Sequence, residues 1–265
     1  MELQLINLPL LEFDPERALV EPRHTQPAVD VSPVAVACFF PEIISAMTEG
    51  AQTARPIMDL PSRVPLWEID YAGERLALFF PGIGAPLAAY SLERVIAAGC
   101  RTVVACGGSG ALRADLKMGD RIFAIASAIR DEGTSYHYIP ASRSVAADAR
   151  IVDTLVEVAK ERGHRVDTTT TWTTDGFFRE TPTKIKRRSL EGCQTVEMEA
   201  SALIAVSMFH GIRFGQYLYA GDDLSGHSWD SRHWWQATEL RHLLVDLSAE
   251  AALRIARAPL QPEHG

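Results

Sequence analysis

Seven short runs rich in apolar and β-branched residues alternate along this chain with helical patterns, and that alternation constrains the fold more than any other feature. The runs are Val34 to Phe40, Leu76 to Pro81, Thr102 to Cys106, Asp120 to Ser127, Val166 to Thr171, Thr195 to Met198 and Phe214 to Ala220. Their apolar character and length mark them as strands. The spacing predicts helices at Ala85 to Ala98, Ala147 to Arg162, Glu199 to His210 and His233 to Arg257, with Gly99, Gly163 and Gly211 where C-terminal caps belong. In the second helix Ile151, Val152, Leu155, Val156 and Ala159 form one apolar stripe, which buries a helix against a sheet. Strands joined through helices pair in parallel and are covered on both sides. The expectation is therefore an α/β fold with a mostly parallel central sheet and helices on both faces.

Residues 1 to 30, rich in Pro, Glu and Asp, read as an arm lying over the surface or over a neighbouring subunit, and residues 259 to 265 as a frayed tail. Between them, residues 31 to 258 form one domain, since 265 residues leave little room for two. The net charge of −8, from 34 acidic and 26 basic residues, disfavours a nucleic-acid polymer or an anionic membrane as partner. Cys38, Cys100, Cys106 and Cys193 show no metal-ligand spacing, so they read as reduced core residues and no metal site is expected. The first twenty residues lack a basic leader and no apolar stretch reaches the ~18 residues of a membrane span, which points to the cytoplasm.

Chemistry first shows in Val196-Glu197-Met198-Glu199-Ala200-Ser201-Ala202-Leu203, where a hydrophobic strand gives way to a helix between two carboxylates. A carboxylate there can accept two hydrogen bonds from a vicinal diol such as the ribose 2′ and 3′ hydroxyls, and Met198 would supply an apolar floor. Alternatively, Glu199 complements the helix dipole and Glu197 is a solvated strand end. Gly82-Ile83-Gly84 follows a strand and opens a helix, a placement that lets backbone approach a ligand. Gly107-Gly108-Ser109-Gly110 ends the strand from Thr102 and forms either a nest of amides around an anion or a tight turn.

The octet closely resembles the ribose-binding signature of the nucleoside phosphorylase family, which includes uridine phosphorylases, purine nucleoside phosphorylases and methylthioadenosine nucleosidases. GIGAPLAAYSL from Gly82 is similar to that family's turn and helix, and the polar stretch Ile129 to Tyr138 resembles the uridine phosphorylase segment that shapes the site and subunit contacts. The resemblance implies a three-layer α/β/α sandwich around a mixed sheet, assembled as dimers, trimers or hexamers, acting on a small nucleoside with no cofactor and with phosphate as a possible co-substrate. It implies that Glu197, Met198, Glu199 and Gly84 bind substrate, that Phe177 stacks on the base, and that Asp222, after the strand Phe214 to Ala220, protonates the leaving base. Phe178 reads as a core residue, and Asp222 and Asp223 as loop or cap acids in the alternative. The loop from His227 to Trp235 reads as a lid or a subunit contact.

The chain departs from the family pattern where phosphate binds. Two of the family's arginines fall at Ile43 and Ala105, and its hydroxyl at Gly108. A third, donated across the subunit interface, has its counterpart in Arg63, so Arg63, Gly108 and Ser109 are the phosphate candidates. The family's glutamine and arginine for uracil are absent after Phe178, where Arg179, Thr181 and Lys184 stand. Hydrolytic members activate water with a glutamate just after the first strand, close to Glu42, which otherwise is an ordinary first-turn acid. The expected activity is cleavage of an N-glycosidic bond, with phosphate favoured over water. A nucleoside-binding protein that lost catalysis is the non-enzymatic alternative.

Overall fold

β1 (Val34–Cys38) is buried at every position, and its alternation divides the molecule into layers. Val34, Val36 and Cys38 enter one hydrophobic cluster; Ala35 and Ala37 enter another. In the computed structural model, which describes residues 8–26 and 28–259, the first cluster is covered by α1 (Pro41–Thr48), α3 (Ala149–Glu161) and α6 (Thr238–Arg257). The second is covered by α2 (Ala85–Ala98) and α5 (Ala200–Phe209), giving three layers. α5 has no polar face because it packs among α2, the sheet and the segment after it, and eight of its residues are buried.

The remaining strands are β2 (Arg55–Met58), β3 (Leu66–Tyr71), β4 (Glu74–Phe79), β5 (Thr102–Ala111), β6 (Ile122–Asp131), β7 (Ser144–Ala146), β8 (Val166–Thr174), β9 (Cys193–Glu197) and β10 (Arg213–Asp223). Parallel pairings join β1 to β4 and β5, β5 to β10, and β8 to β6 and β9. Antiparallel pairings join β2 to β3, β3 to β4, β5 to β9, and β6 to β7 and β10. The sheet is thus mixed, and β5, β10, β6, β8 and β9 close on themselves in a ring.

The glycines at the predicted helix ends stand as expected: Gly99, Gly163 and Gly211 all have positive φ. Several expectations are corrected. β5 does not end at Cys106; Gly107 to Ser109 continue it paired with β10, and Gly110 is paired with Val196 of β9, so the run is neither an amide nest nor a turn. Glycine is required there by close packing, since a Cβ on Gly110 would lie 2.3 Å from Leu224 and 2.9 Å from Val196. The last helix begins at Thr238 rather than His233, whose left-handed φ of 49° precedes one 3₁₀ turn, Trp234–Gln236. The hairpin β2–β3, strand β7 and helix α4 (Pro182–Leu190) were not expected; α4 is almost wholly polar and buries Ile185 and Arg188 against β9.

Part of the arm lies over its own chain, with Gln26 and the backbone and side chain of Arg94 on α2 exchanging two 3.0 Å hydrogen bonds. Residues 1–7 and 260–265, which include most of the predicted tail, lie outside the described residues. Phe178 is 92% exposed, not core, because the turn that carries it points outward. The four cysteines are buried and free; burial pushes Cys100 and Cys193 up to about 12 and keeps them as thiols. Among the described residues no helix is long and apolar enough to cross a membrane.

Candidate active site

The carboxyl ends of β1, β4, β5, β8, β9 and β10 converge on a cavity of about 420 Å³, the position where open α/β sheets bind ligands. It is walled by Phe39, Phe40 and Glu42 after β1, Phe80 and Ile83 after β4, the β5 glycines, Phe177 and Glu180 after β8, Val196, Met198 and Glu199 at the end of β9, and Tyr219 and Asp222 of β10. Trp234, Trp235 and Arg241 close it. The aromatic loop thus contributes cover to the cavity of its own chain.

The two glutamates of the octet divide their work. Glu197 turns inward: it accepts from Thr173 Oγ1 at 2.6 Å and from the amides of Glu199 and Ala200 at 2.7 and 2.6 Å. It therefore caps α5 and does not line the cavity, which corrects its expected contact with substrate. Glu199 is the one that faces the cavity, and its Oε1 accepts the Gly84 amide at 2.6 Å. Gly84 adopts φ 91° to present that amide, so it orients Glu199 and does not itself line the cavity. Burial pushes both carboxyls up; Glu199 is raised further by the charge of Glu197, which keeps three donors. Glu132 also lies beneath, buried, accepting from Ser201 Oγ at 2.8 Å. Asp131 accepts from Trp172 and Arg188 at 3.0 Å.

Glu197→Ala would leave two helix-terminal amides and a buried hydroxyl without their acceptor. The expected cost is about 2–3 kcal/mol, read as a lower urea midpoint at unchanged slope; a midpoint equal to wild type would show that water replaces the carboxylate.

Asp222 owes its aim to a bulge. The β5–β10 register pairs Ala220 with Ser109 and Asp223 with Ala111, so Gly221 and Asp222 stand opposite Gly110 alone. Asp222 lines the cavity while its Oδ2 accepts Trp229 Nε1–H at 2.7 Å. Asp223 turns the other way, onto Ser225 and Arg232. Phe177, 48% exposed, meets the cavity beside them.

Of the phosphate candidates, Gly108 and Ser109 both line the cavity, with Ser109 Oγ donating to the Tyr219 carbonyl at 2.8 Å, whereas Arg63 is exposed on the β2–β3 loop, outside the cavity of its own chain. Glu42 lines the cavity and is paired with Arg241. Sequence reasoning missed Arg241, the one lysine or arginine in the described lining, which also donates to Trp234 O at 3.0 Å and to Tyr219 Oη at 3.3 Å. Its signal was an arginine within the buried stripe of α6, in phase with Leu244, Val245 and Ser248. Glu180 was missed too, although it stands three residues past Phe177. Among the described residues no group of three or more His, Cys, Asp or Glu is placed to hold a metal ion.

Residues 33–258 match the family model described as the Phosphorylase superfamily. A guanosine phosphorylase of Halorubrum lacusprofundi is 30% identical over 145 residues, 55% of this chain and 60% of that one. A uridine phosphorylase of Thermococcus kodakarensis is 34% identical over 108 residues, 41% of this chain and 39% of the relative. These matches span less than two thirds of either relative. The solved purine nucleoside phosphorylase of Toxoplasma gondii, in complex with immucillin-H, superposes with a TM-score of 0.75 over 86% of this chain and 93% of its own at 19% identity, which establishes a shared fold.

Proposed function

We propose that this chain, which belongs to the phosphorylase superfamily, cleaves the N-glycosidic bond of a small nucleoside in the cytoplasm, as a homo-oligomer and without a cofactor, using phosphate as acceptor. The observation that carries this reading is the pairing within one cavity of Glu199, at the start of α5, with Asp222, on the β10 bulge. Glu199 accepts the ribose diol over Met198, and Phe177 stacks on the base. As the bond from base to sugar lengthens, its electrons pass to the base, Asp222 delivers a proton there, and the acceptor bonds to the anomeric carbon of an oxocarbenium-like sugar. The scaffold contributes chiefly position and charge.

Phosphate requires cations. Arg241 supplies one from α6 once Glu42 yields, and Arg63, exposed on its loop, supplies a second from a neighbouring subunit. The second reading is water, and the Glu42–Arg241 pair favours it: Glu42, Glu180, Glu199 and Asp222 make the lining acidic, and its one guanidinium is already neutralised. The sugar product decides. Phosphorolysis yields ribose 1-phosphate at a rate that rises with phosphate, and Arg63→Ala and Arg241→Ala each flatten that rise. Free ribose formed at a rate indifferent to phosphate excludes phosphorolysis and makes Glu42 the water activator.

A further inference from the structure

The segment after β8 is a single 3₁₀ turn, Phe177–Arg179, closed by Glu180. With three residues per turn, side chains at i and i+3 fall on one side. Phe177 and Glu180 accordingly both line the cavity, while Phe178 and Arg179 between them are exposed. Asp222 lines the same cavity from the β10 bulge. Its Oδ2 is taken by Trp229, and its Oδ1 lies toward Gly110, 3.5 Å from where a Cβ there would stand. Two carboxyl groups thus share the cavity with the Phe177 ring, where one suffices to protonate a leaving base.

We propose that Glu180 reads the base edge beside Asp222 and selects a 6-aminopurine nucleoside over its 6-oxopurine counterpart. This rests on the assignment of Phe177 and Asp222 to the base. The N7 edge of a 6-aminopurine offers an acceptor at N7 beside a donor at N6, whereas a 6-oxopurine offers two acceptors, N7 and O6. Two carboxyls facing one base disfavour double ionisation, so the base meets one acid and one carboxylate. One acid and one carboxylate make one donor and one acceptor, which matches the amino form. The oxo form sets O6 against a carboxylate oxygen, and a site built to accept a hydrogen bond rejects the analogue that lacks its donor.

The surroundings support the shared proton. Burial, and then the charge of Asp222, push the Glu180 carboxyl up to about 7, opposed by Lys184 of α4. The other charged groups of the lining are Glu199 and the Glu42–Arg241 pair. Below that value the pair keeps its proton and cleavage of the amino substrate is sustained; as pH rises through it the proton is lost and both substrates slow.

The test is kcat/KM for adenosine and inosine, on wild type and Glu180→Gln, between about pH 6 and 8. Wild type is expected to prefer adenosine by about tenfold or more, and its kcat/KM for adenosine to fall as pH rises through about 7. Glu180→Gln, whose amide offers a donor and an acceptor at every pH, should lower the preference by about tenfold and remove that fall with pH. An unchanged preference in a folded variant overturns the assignment of Glu180. Should the variant not fold, a wild-type kcat/KM for adenosine that is flat between about pH 6 and 8 overturns it alone. Cleavage of pyrimidine nucleosides only also overturns it, leaving N-glycosidic cleavage intact; cleavage of no nucleoside removes that reading and this one together.

Discussion

Asp222→Asn is expected to lower kcat on natural ribonucleosides by about 10²–10⁴-fold, the range lost when a positioned general acid is removed. The β10 bulge lifts Asp222 out of the ladder and into the cavity, the position that the proposed role requires. Asparagine keeps an oxygen for the Trp229 indole N–H, so the loop that Asp222 anchors should persist. Ribosides whose leaving groups need no protonation should lose far less. Equal losses on both kinds of substrate, or a lowered melting temperature, would assign Asp222 to holding the loop.

Glu199→Gln should reduce kcat/KM for ribonucleosides by about ten- to a hundredfold, because one amide oxygen that already holds the Gly84 amide cannot serve both diol hydroxyls, and a buried partner left unpaired costs about 1–3 kcal/mol. The variant retains an oxygen for the Gly84 amide, so the entry into α2 is preserved. Comparing ribonucleosides with 2′-deoxyribonucleosides isolates the contact: the wild-type preference for the 2′ hydroxyl should collapse in the variant. A preference that survives would move the diol to another group. Glu197→Ala should instead destabilise the fold, so the two glutamates are separable by assay.

The α/β class was legible because β1, β5 and β10 are continuous apolar runs buried on both faces and because glycine ends three of the helices. The hairpin β2–β3 was not, since Arg55, Glu68 and Asp70 interrupt it at the exposed margin of the sheet. α4 escaped for a related reason: Lys184, Lys186, Arg187 and Arg188 leave it no apolar periodicity. In the site, Glu199, Met198, Phe177 and Asp222 could be read from local motifs. Arg241 could not, since it meets Glu42 across 199 positions of sequence and only the packing of α6 brings them together. The glycine run misled for a physical reason. Glycine serves tight turns and crowded strands alike, and here the crowding by Leu224, Val196 and Tyr219 explains it.

The most direct test of the account is release of free base. Wild-type protein incubated with a panel of purine and pyrimidine ribonucleosides, with and without phosphate, should liberate base from at least one of them, and Asp222→Asn should abolish most of that release. Nucleosides that bind yet release no base under either condition would contradict the account and leave a nucleoside-binding protein.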